Sequence, residues 1–487
     1  MAKKLSLLLV AVIVFGKNNQ AQNIGIGTSG PTEKLHVSGN IKADTIKPSA
    51  IKLMPGAGNN KVLTSDASGN ASWQTPAASA SNTAGFGSWG DCGMNNLSEY
   101  HPVTDTGASS LDKFGFSVSM DGDFAVVGAP FDDWGSGFPK GSASVYHFNG
   151  TAWEFMQKLS DTGSNNSGDQ FGYSVSISGS YIIVGIHGDN VGVNNGQGSV
   201  NIYYFDGTIW NFTEKLTDPD GAALNEFGFS VSISGVHAVV GSYADYNGPN
   251  IGQGASAFFN YDGTSWQLVT DLTHVTTTAN DRFGFSVSVS GDSAVIGIPR
   301  ETIAGNTTRG AANVYRFDGT NWIFLQKLTD PDGAANDQFG SSVSISSKNI
   351  MAGAPEDQVG ANSSQGSACM FSKSNNGFFT FSQKVFDPAG SSGDFFGLSV
   401  AVTDKYAVAG AFMDEPGAYF INQGAATLYQ KVGLGWQKLQ YVTDPGGLQG
   451  DNLGCSVTLS ETSKRFVFGA CNYSFSSGKI LFGKINL

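Results

Sequence analysis

Acidic residues recur at two fixed positions along this chain, and they are the groups with the clearest chemical use. One set stands two residues before a repeated Phe-Gly pair and comprises Asp112, Asp169, Asp281, Asp337, Asp394 and Asp451. The second set follows a repeated glycine by four residues and comprises Asp132, Asp189, Asp245, Glu301, Asp357 and Asp414. Carboxylates are hard oxygen ligands of the kind that Ca²⁺ takes, so we interpret the first set as candidate metal ligands and the second as a candidate binding surface.

Two interpretations of these acids stay open at this level. If both positions lie at one end of a hairpin, two or three carboxylates in each repeat could hold Ca²⁺ with help from backbone carbonyls and water. Alternatively, an Asp or Asn before a strand accepts hydrogen bonds from backbone amides in a tight turn. Ca²⁺ is the one cofactor that the sequence suggests, and only the first interpretation needs it.

Aromatic residues accompany the acids in two of the repeats. The segments are Phe131-Asp-Asp-Trp134 and Tyr243-Ala-Asp-Tyr246. Acids next to exposed aromatic rings suit contacts with carbohydrate or with protein equally, and aromatics scattered over the surface without function are the alternative. Trp134 and Tyr246 therefore join the candidate binding residues.

No set of residues predicts catalysis. The six histidines occupy different positions in the repeats, and neither a metal-binding Cys–His spacing nor a Gly-x-Ser-x-Gly turn is present. Carboxylates repeated in every copy favour structure or binding, because a single active site would break the repeat in one place. We therefore expect a protein that is not an enzyme. The alternative is a polysaccharide-active enzyme with two carboxylates at glycosidase separation.

A long internal repeat sets all of these positions. Phe-Gly pairs begin at Phe114, Phe171, Phe227, Phe283, Phe339 and Phe396, and Leu453-Gly454 is a seventh, altered copy. The steps between them are 56 or 57 residues, and self-similarity at such a period predicts a repeat architecture.

Each copy predicts four antiparallel strands. In the third copy, Phe229, Val231 and Ile233 alternate with serines, and Asp262-Gly263 is a strong hairpin signal. Seven such copies without helical periodicity predict an all-β, seven-bladed β-propeller of four-stranded antiparallel blades. The last copy lacks a fourth strand, and Leu97 to Asp105 has the offset needed to supply it, which would remove the open edges.

Bulky side chains at the start of the fourth strands fit the blade core. They are Trp153, Trp210, Trp266, Trp322, Phe379 and Trp436. The serines of the first strands would leave room for these aromatics between neighbouring blades. We therefore expect packing residues here rather than a cage for a ligand.

The segment from Lys327 to Gly340, with Gly353-Ala-Pro355, resembles the FG-GAP repeat family, in particular its exported bacterial variant. The resemblance covers about residues 97 to 487. It implies a propeller used for recognition, as in the head of integrin α chains, where some loops carry Ca²⁺ in an Asp-x-Asp-x-Asp-Gly motif. Asp218-Pro-Asp220-Gly and Asp330-Pro-Asp332-Gly carry only two acids, so that calcium site does not transfer.

The residues before the propeller predict export and a stem. Residues 1–21 have the charged start and short apolar core of a secretory signal peptide. Residues 22–74 contain brief alternating strands that resemble the stems of exported bacterial surface proteins and of phage tail fibres. The resemblance implies a β-rich stalk, with association of several chains as a further expectation; a loosely ordered spacer is the alternative. Residues 75–96 are a small-residue linker, and residues 97–487 form the propeller.

Charge and cysteine content limit the classes of partner and the compartment that we expect for this protein. The formal net charge of -13 argues against nucleic acid, because phosphate binding needs clustered Lys and Arg. No stretch after the signal reads as a membrane span. Cys455 and Cys471 flank one predicted hairpin and form the favoured disulfide pair. We expect a secreted or cell-surface protein that binds protein or carbohydrate through its loops. A structural part of a fibre-like assembly is a further alternative.

Overall fold

The computed structural model describes residues 100–104, 111–133, 139–161, 168–246, 252–273, 279–416, 422–471 and 478–486, together with four short strands before residue 75. The chain divides into two compact units, residues 1–91 and 92–487. In the first unit, Ile24–Ile26 pairs in parallel with Leu35–Val37, and Val62–Ser65 pairs antiparallel with Ala71–Gln74. The predicted signal peptide and linker lie outside the described residues.

Seven four-stranded antiparallel sheets make up the second unit, which confirms the predicted propeller. Blades 1 to 3 consist of Ser117–Asp121, Phe124–Ala129, Ser142–Phe148 and Trp153–Leu159; Val175–Ser178, Tyr181–Ile186, Ser199–Phe205 and Trp210–Leu216; and Ser230–Ser234, His237–Ser242, Ala255–Tyr261 and Trp266–Thr273. Blades 4 to 6 consist of Val287–Ser290, Ser293–Ile298, Ala311–Phe317 and Trp322–Leu328; Ser342–Ile345, Asn349–Ala354, Ser367–Lys373 and Phe379–Val385; and Ser399–Val402, Tyr406–Ala411, Ala425–Val432 and Gly435–Val442. Blade 7 consists of Leu453–Ser460, Arg465–Ala470, Lys479–Lys484 and His101–Val103.

The strands of a blade follow one another from the axis outwards. The first, or inner, strands of neighbouring blades contact each other around the ring. Because the strands are antiparallel, the loop between the second and third strands and the link between blades emerge at the same end, which we call the loop face. In the part of the chain that the structure describes, no helix is long and apolar enough to cross a bilayer.

The N-terminal strand closes the ring as predicted. His101–Val103 pairs antiparallel with Lys479–Lys484 and becomes the outer strand of blade 7. Side chains add to this closure, because Phe482 of blade 7 stacks on Trp153 of blade 1 with 4.3 Å between ring centroids. The start and the end of the propeller are therefore held together by main chain and side chains alike.

Serines of the inner strands fasten each blade to the next. Ser174 donates from its Oγ to the carbonyl oxygen of Gly228 in the following blade at 2.8 Å. Ser176 accepts from the amide of Ile233 at 3.1 Å. The first of these bonds recurs around the whole ring, from Ser117, Ser230, Ser286, Ser342, Ser399 and Ser456. The serines thus supply hydrogen bonds in addition to the space predicted from their size.

Close approach of neighbouring blades explains the two repeated glycines. A Cβ at Gly241, which closes a second strand, would lie 2.0 Å from the carbonyl oxygen of Gly284. Gly284 belongs to the next Phe-Gly pair and has a φ of +83°, a conformation that favours glycine. The two glycine positions of the repeat are therefore the two sides of one contact between blades.

The hydrophobic core lies between blades. One cluster joins Val295 and Val314 of blade 4 to Val343 and Phe371 of blade 5. The bulky residues that begin the outer strands belong to this core, as predicted: at most 4% of the surface is exposed in Trp210, Trp266, Trp322, Phe379 and Trp436. Trp153 is half-buried against Phe482.

Candidate functional site

The two predicted acid positions come together at the loop face in blades 1, 2 and 5. In three blades, carboxylate oxygens of three acids lie within 4.8 Å of one another. The groups are Asp112, Asp132 and Asp133 in blade 1; Asp161, Asp169 and Asp189 at blade 2; and Asp330, Asp337 and Asp357 at blade 5. Most of these residues are buried, so the clusters are internal features of the loop face.

The third acid in two of these groups had no sequence-based prediction. Asp161 and Asp330 come two residues after the outer strand of the preceding blade and reach the next blade's acids across the interface. Each stands eight residues after the aromatic residue that begins its outer strand. The same position recurs as Asp218, Asp387 and Asp444, and this periodicity is the signal that could have revealed it.

A lysine ammonium enters these clusters from the outer strand of the same blade. Lys215 Nζ lies 2.9 Å from a carboxylate oxygen of Asp161 and 2.8 Å from one of Asp189. Burial alone would lower the pKa of Lys215, but the two carboxylates outweigh burial and raise it. Lys384 Nζ lies 2.8 Å from Asp330 and 2.7 Å from Asp357. Further ion pairs of this kind join Lys158 to Asp132, Lys327 to Glu301, and Lys479 to Asp444 and Asp451.

These lysines also follow the repeat. Lys158, Lys215, Lys327 and Lys384 each stand five residues after the aromatic residue that begins the outer strand. In blade 7, Lys479 reaches its cluster from the third strand instead. Ca²⁺ binding by Asp112, Asp169, Asp281, Asp337, Asp394 and Asp451 stays a prediction, but in five blades a cation of the chain itself already lies beside the acids.

Turn hydrogen bonds use the same acids, as the second interpretation expects. Asp451 accepts from the amide of Leu448 at 2.7 Å, and Asp394 accepts from the amide of Ser391 at 2.5 Å. Asp337 accepts from the amide of Ala334. Each bond closes the turn just before an inner strand, so the acids shape the loops as well as pairing with lysine.

The candidate binding acids are buried rather than presented to a ligand. At most 9% of the surface is exposed in Asp132, Asp189, Asp245, Glu301, Asp357 and Asp414. Tyr246 is exposed, and Trp134 lies outside the described residues. Recognition by the acids themselves stays a prediction, and their burial favours a role in holding the loops. A macromolecule on the loop face would touch the loops that they hold in place.

Four aromatic rings from successive blades form a continuous row where the inner strands begin. They stand two residues after the Phe of each Phe-Gly pair, and we call them the axial arc: Phe116, Tyr173, Phe229 and Phe285. Neighbouring ring centroids are 4.8, 5.0 and 5.2 Å apart. All four side chains are half-buried. The same position holds Ser341, Leu398 and Cys455 in blades 5 to 7, so the arc breaks the sevenfold repeat.

Charged and polar groups border the arc in blades 2 to 4. Glu226 lies 3.5 Å from His187, whose ring centroid is 4.1 Å from that of Tyr173. The guanidinium carbon of Arg282 lies 5.3 Å from the ring centroid of Tyr243. Burial alone would raise the pKa of Glu226, but His187, Tyr243 and Arg282 lower it, so this carboxylate stays ionised. Burial and Glu226 raise the pKa of Tyr243 to about 12, so its phenol stays a hydrogen-bond donor.

The backbone beside the arc is left-handed at residues other than glycine. The residue before each repeated Phe, or before Leu453 in the seventh copy, has a φ between 54° and 64°; these residues are Lys113, Gln170, Glu226, Arg282, Gln338, Phe395 and Asn452. Such a conformation costs an L-residue about 1–2 kcal/mol and persists only where the surrounding structure holds it. The propeller therefore carries different side chains at these seven positions on a backbone of the same conformation.

The opposite end of the axis holds a cavity whose polar side chains bond to neighbouring blades. Its cavity of about 410 Å³ is lined by turn residues that include Asp121, Ser178 and Ser234. Asp121 accepts from the amide of Gly179 at 2.7 Å, and Ser178 accepts from that of Gly235 at 3.1 Å. These side chains bind the neighbouring blade, which leaves the loop face as the better candidate for recognition.

The structure joins Cys455 and Cys471 in a disulfide, with their Cα atoms 6.3 Å apart. This is the pair that the sequence favoured. Cys369 is free and buried in the third strand of blade 5, where it packs as a small apolar residue.

The sequence profile of a family described as FG-GAP repeat matches six segments: residues 99–146, 153–203, 210–258, 266–315, 322–371 and 379–429. Each segment begins with the outer strand of one blade and continues through three strands of the next. Together the segments cover more than half of the 487 residues. Among curated proteins, none matches this chain.

Proposed function

Because the chain belongs to the FG-GAP repeat family, whose propellers commonly bind proteins, we propose that it is an exported, non-enzymatic binding protein. In this proposal the loop face recognises protein or carbohydrate at a surface, and adhesion is the biological outcome. The N-terminal residues 22–74 serve as a stalk that presents the propeller and allows several chains to associate.

The axial arc is the observation that carries this proposal. Its rings touch one another across four blades, whereas three blades lack an aromatic residue there. The blades without it fold into the same four strands, so the fold itself does not require the rings. Contiguous half-exposed aromatics beside Glu226 and Arg282 offer stacking area together with charged hydrogen-bonding groups.

Export is supported by the charged and apolar start of residues 1–21 and by the disulfide between Cys455 and Cys471. Disulfides persist in oxidising compartments and are rare in the cytosol. We therefore place the mature protein outside the cell or on its surface.

The enzyme alternative needs a proton-donating carboxyl group beside a second carboxylate. At the arc, Glu226 has a lowered pKa and is held ionised by His187, Tyr243 and Arg282. That electrostatic setting suits a hydrogen-bond acceptor rather than a general acid at neutral pH. At the arc, the geometry therefore favours binding.

The proposal is tested by probing a glycan array and a surface-protein array with residues 92–487 and with a Phe285→Ser variant. Blade 5 already carries Ser341 at this position, so the substitution is compatible with the fold. We expect the wild type to bind a restricted set of ligands, and F285S to lose at least about tenfold in affinity for them.

Phe324→Ser is the matched control, since Phe324 is 56% exposed on the outer strand of blade 4, away from the arc. F324S should bind as the wild type does. Equal binding by the wild type and F285S would refute the arc as the site, and turnover of a bound glycan would refute the non-enzymatic proposal.

A further inference from the structure

At the end of the ring opposite the loop face, which we call the turn face, paired side chains occupy the junctions between neighbouring blades. The residue that begins a second strand meets one at the end of the third strand in the next blade. Phe124 meets Phe205 and Tyr181 meets Tyr261, with 5.2 and 5.5 Å between ring centroids. The other pairs are His237 and Phe317, Asn349 and Lys431, Tyr406 and Ile485, and Arg465 and Phe148.

The junction between blades 4 and 5 differs. Ser293, the smallest residue at its position, begins the second strand of blade 4, and Lys373 ends the third strand of blade 5. Both line a cavity of about 400 Å³, together with Arg316 and Leu325. A neighbouring cavity of about 600 Å³ shares Asp292 and Arg316 with it. Both volumes fall within the range of about 300–1,000 Å³ that is common for small-molecule sites.

The junction between blades 5 and 6 shows how the chain satisfies a lysine at this place. Lys431 of blade 6 is the counterpart of Lys373, and each lies over the aromatic ring near the start of its own outer strand, at 5.4 and 5.5 Å. The Nζ of Lys431 donates to Asn349 Oδ1 and, at 2.9 Å, to Ser372 Oγ. Two oxygen acceptors of blade 5 therefore receive this ammonium.

Lys373 shares its cavity with a second cation in place of those acceptors. Ser293 pairs with Arg316 across the strands of blade 4 just as Asn349 pairs with Ser372 in blade 5. Arg316 and Lys373 are both exposed, and among the residues that the structure describes neither forms an ion pair. Two like charges that line one cavity produce a positive potential, and that potential favours an anionic ligand.

We propose that this cavity binds an acidic sugar residue, whose carboxylate lies between Arg316 and Lys373. A guanidinium binds a carboxylate through two parallel hydrogen bonds, and an ammonium can add another. Asp292 lines the same cavity with 72% of its side chain exposed, so it would repel an inorganic anion. Its oxygens can accept hydrogen bonds from sugar hydroxyl groups, and Leu325 offers apolar surface to the C–H face of the ring. The site opens on the turn face, so this inference does not depend on what the loop face recognises.

The test is calorimetric titration of the full chain with three probes: the methyl glycosides of glucuronic acid and of glucose, and acetate. The two glycosides differ in the carboxylate, and acetate has the carboxylate without the sugar. We expect the glucuronic acid glycoside to bind at least about tenfold more tightly than either of the others, because charge-assisted hydrogen bonds contribute about that factor. Equal affinity for the two glycosides, or for acetate and the glucuronic acid glycoside, would overturn the proposal.

Two variants locate the binding. Arg316→Gln should lose at least about tenfold in affinity for the glucuronic acid glycoside. Ser293→Tyr should also abolish binding, because it fills the cavity with a side chain that blades 2 and 6 already carry at this position as Tyr181 and Tyr406. Its melting temperature, measured alongside, shows that the propeller is folded.

Lys405→Met is the matched control, since it removes an exposed lysine of blade 6 that pairs with Glu461. K405M should bind the glucuronic acid glycoside as the wild type does. A folded S293Y or R316Q protein that keeps the affinity of the wild type, or a K405M protein that loses as much as R316Q, would refute the site.

Discussion

Blades 3 and 5 share their strand pairing and differ in the charge at one position. In blade 5, Lys384 reaches Asp357 of its own blade and, across the blade interface, Asp330. In blade 3, the same register position holds Asp271, and the facing acids are Asp218 and Asp245. The comparison teaches that the acids and their neutralising charge are separable parts of the repeat.

In both blades, one of these acids accepts a hydrogen bond from the backbone amide two residues later in a turn. Asp218 accepts from the amide of Asp220 at 3.0 Å, and Asp330 accepts from that of Asp332 at 3.3 Å. Burial opposes a charge on Lys384, but Asp330, Asp332 and Asp357 more than offset it and raise its pKa. The carboxylates that form these turns thus place negative charge in a buried region. In blade 5, Lys384 of the outer strand neutralises that charge.

The largest effect is expected when the blade 3 arrangement is copied into blade 2 by Lys215→Asp. The change removes an ammonium and adds a carboxylate beside Asp161, Asp169 and Asp189, whose oxygens already lie within 4.8 Å of one another. The loss of stability in EDTA should exceed the about 3–5 kcal/mol that removal of one partner costs a buried ion pair. Ca²⁺ should restore part of it, as measured by urea unfolding with and without the ion.

Lys215→Met separates the two parts of that prediction, because it removes the ammonium without adding a ligand. It should be destabilised but respond less to Ca²⁺ than K215D does. Ca²⁺ could instead stabilise K215D and K215M equally. In that case, the residue at position 215 does not determine whether a lysine or a metal ion neutralises the acids.

The next largest effect is expected from removing the blade 5 cation by Lys384→Met. Its side chain is 16% exposed and faces buried carboxylates, so we expect a loss of about 3–5 kcal/mol in urea unfolding. Lys405→Met is the control, since Lys405 pairs with Glu461 on the surface with 70% of its side chain exposed. The urea midpoint of K405M should match that of the wild type; equal losses in the two variants would contradict the distinction.

The smallest effect is the part that two carboxyl groups of blade 3 take in the pH dependence of stability. Asp245 and Asp271 have a folded pKa of about 6 against an ordinary value of 3.8. Their contribution to stability is therefore fully present below about pH 3.8 and is lost as the pH rises through 6. We expect the melting temperature in EDTA to fall over this range more steeply in the wild type than in D271N. A constant difference between the two proteins would show that these carboxylates do not titrate as the structure implies.

Most of the fold was predictable because its signal repeats. The Phe-Gly steps of 56 or 57 residues gave seven blades, and the offset of Leu97 to Asp105 gave the closing strand that the structure confirms at His101–Val103. The six bulky residues were predicted as core because the small serines of the first strands leave room for them between blades. The sequence pattern did not show why glycine is required at its two repeated positions. Gly241 and Gly284 belong to neighbouring blades and come into contact only in the folded propeller.

The candidate site was predictable only in part. Both sets of acids were visible, because their spacing is local to one hairpin. Asp161 and Lys215 were missed although they follow the same period, because each reaches the cluster from an outer strand that sequence order places far from Asp189. The axial arc was likewise hidden, since Phe116 and Tyr173 are 57 residues apart in sequence and adjacent only around the axis.

The sequence by itself determined the number of blades, the strand order and the strand that closes the ring, because each depends on a local pattern repeated at constant spacing. Tertiary structure alone decided which charges meet. An ammonium from one strand and carboxylates from two blades share a buried volume, and their interaction depends on distance and burial rather than on separation along the chain. For that reason, the exchange of Lys for Asp at residue 271 became meaningful only when the blades were placed side by side.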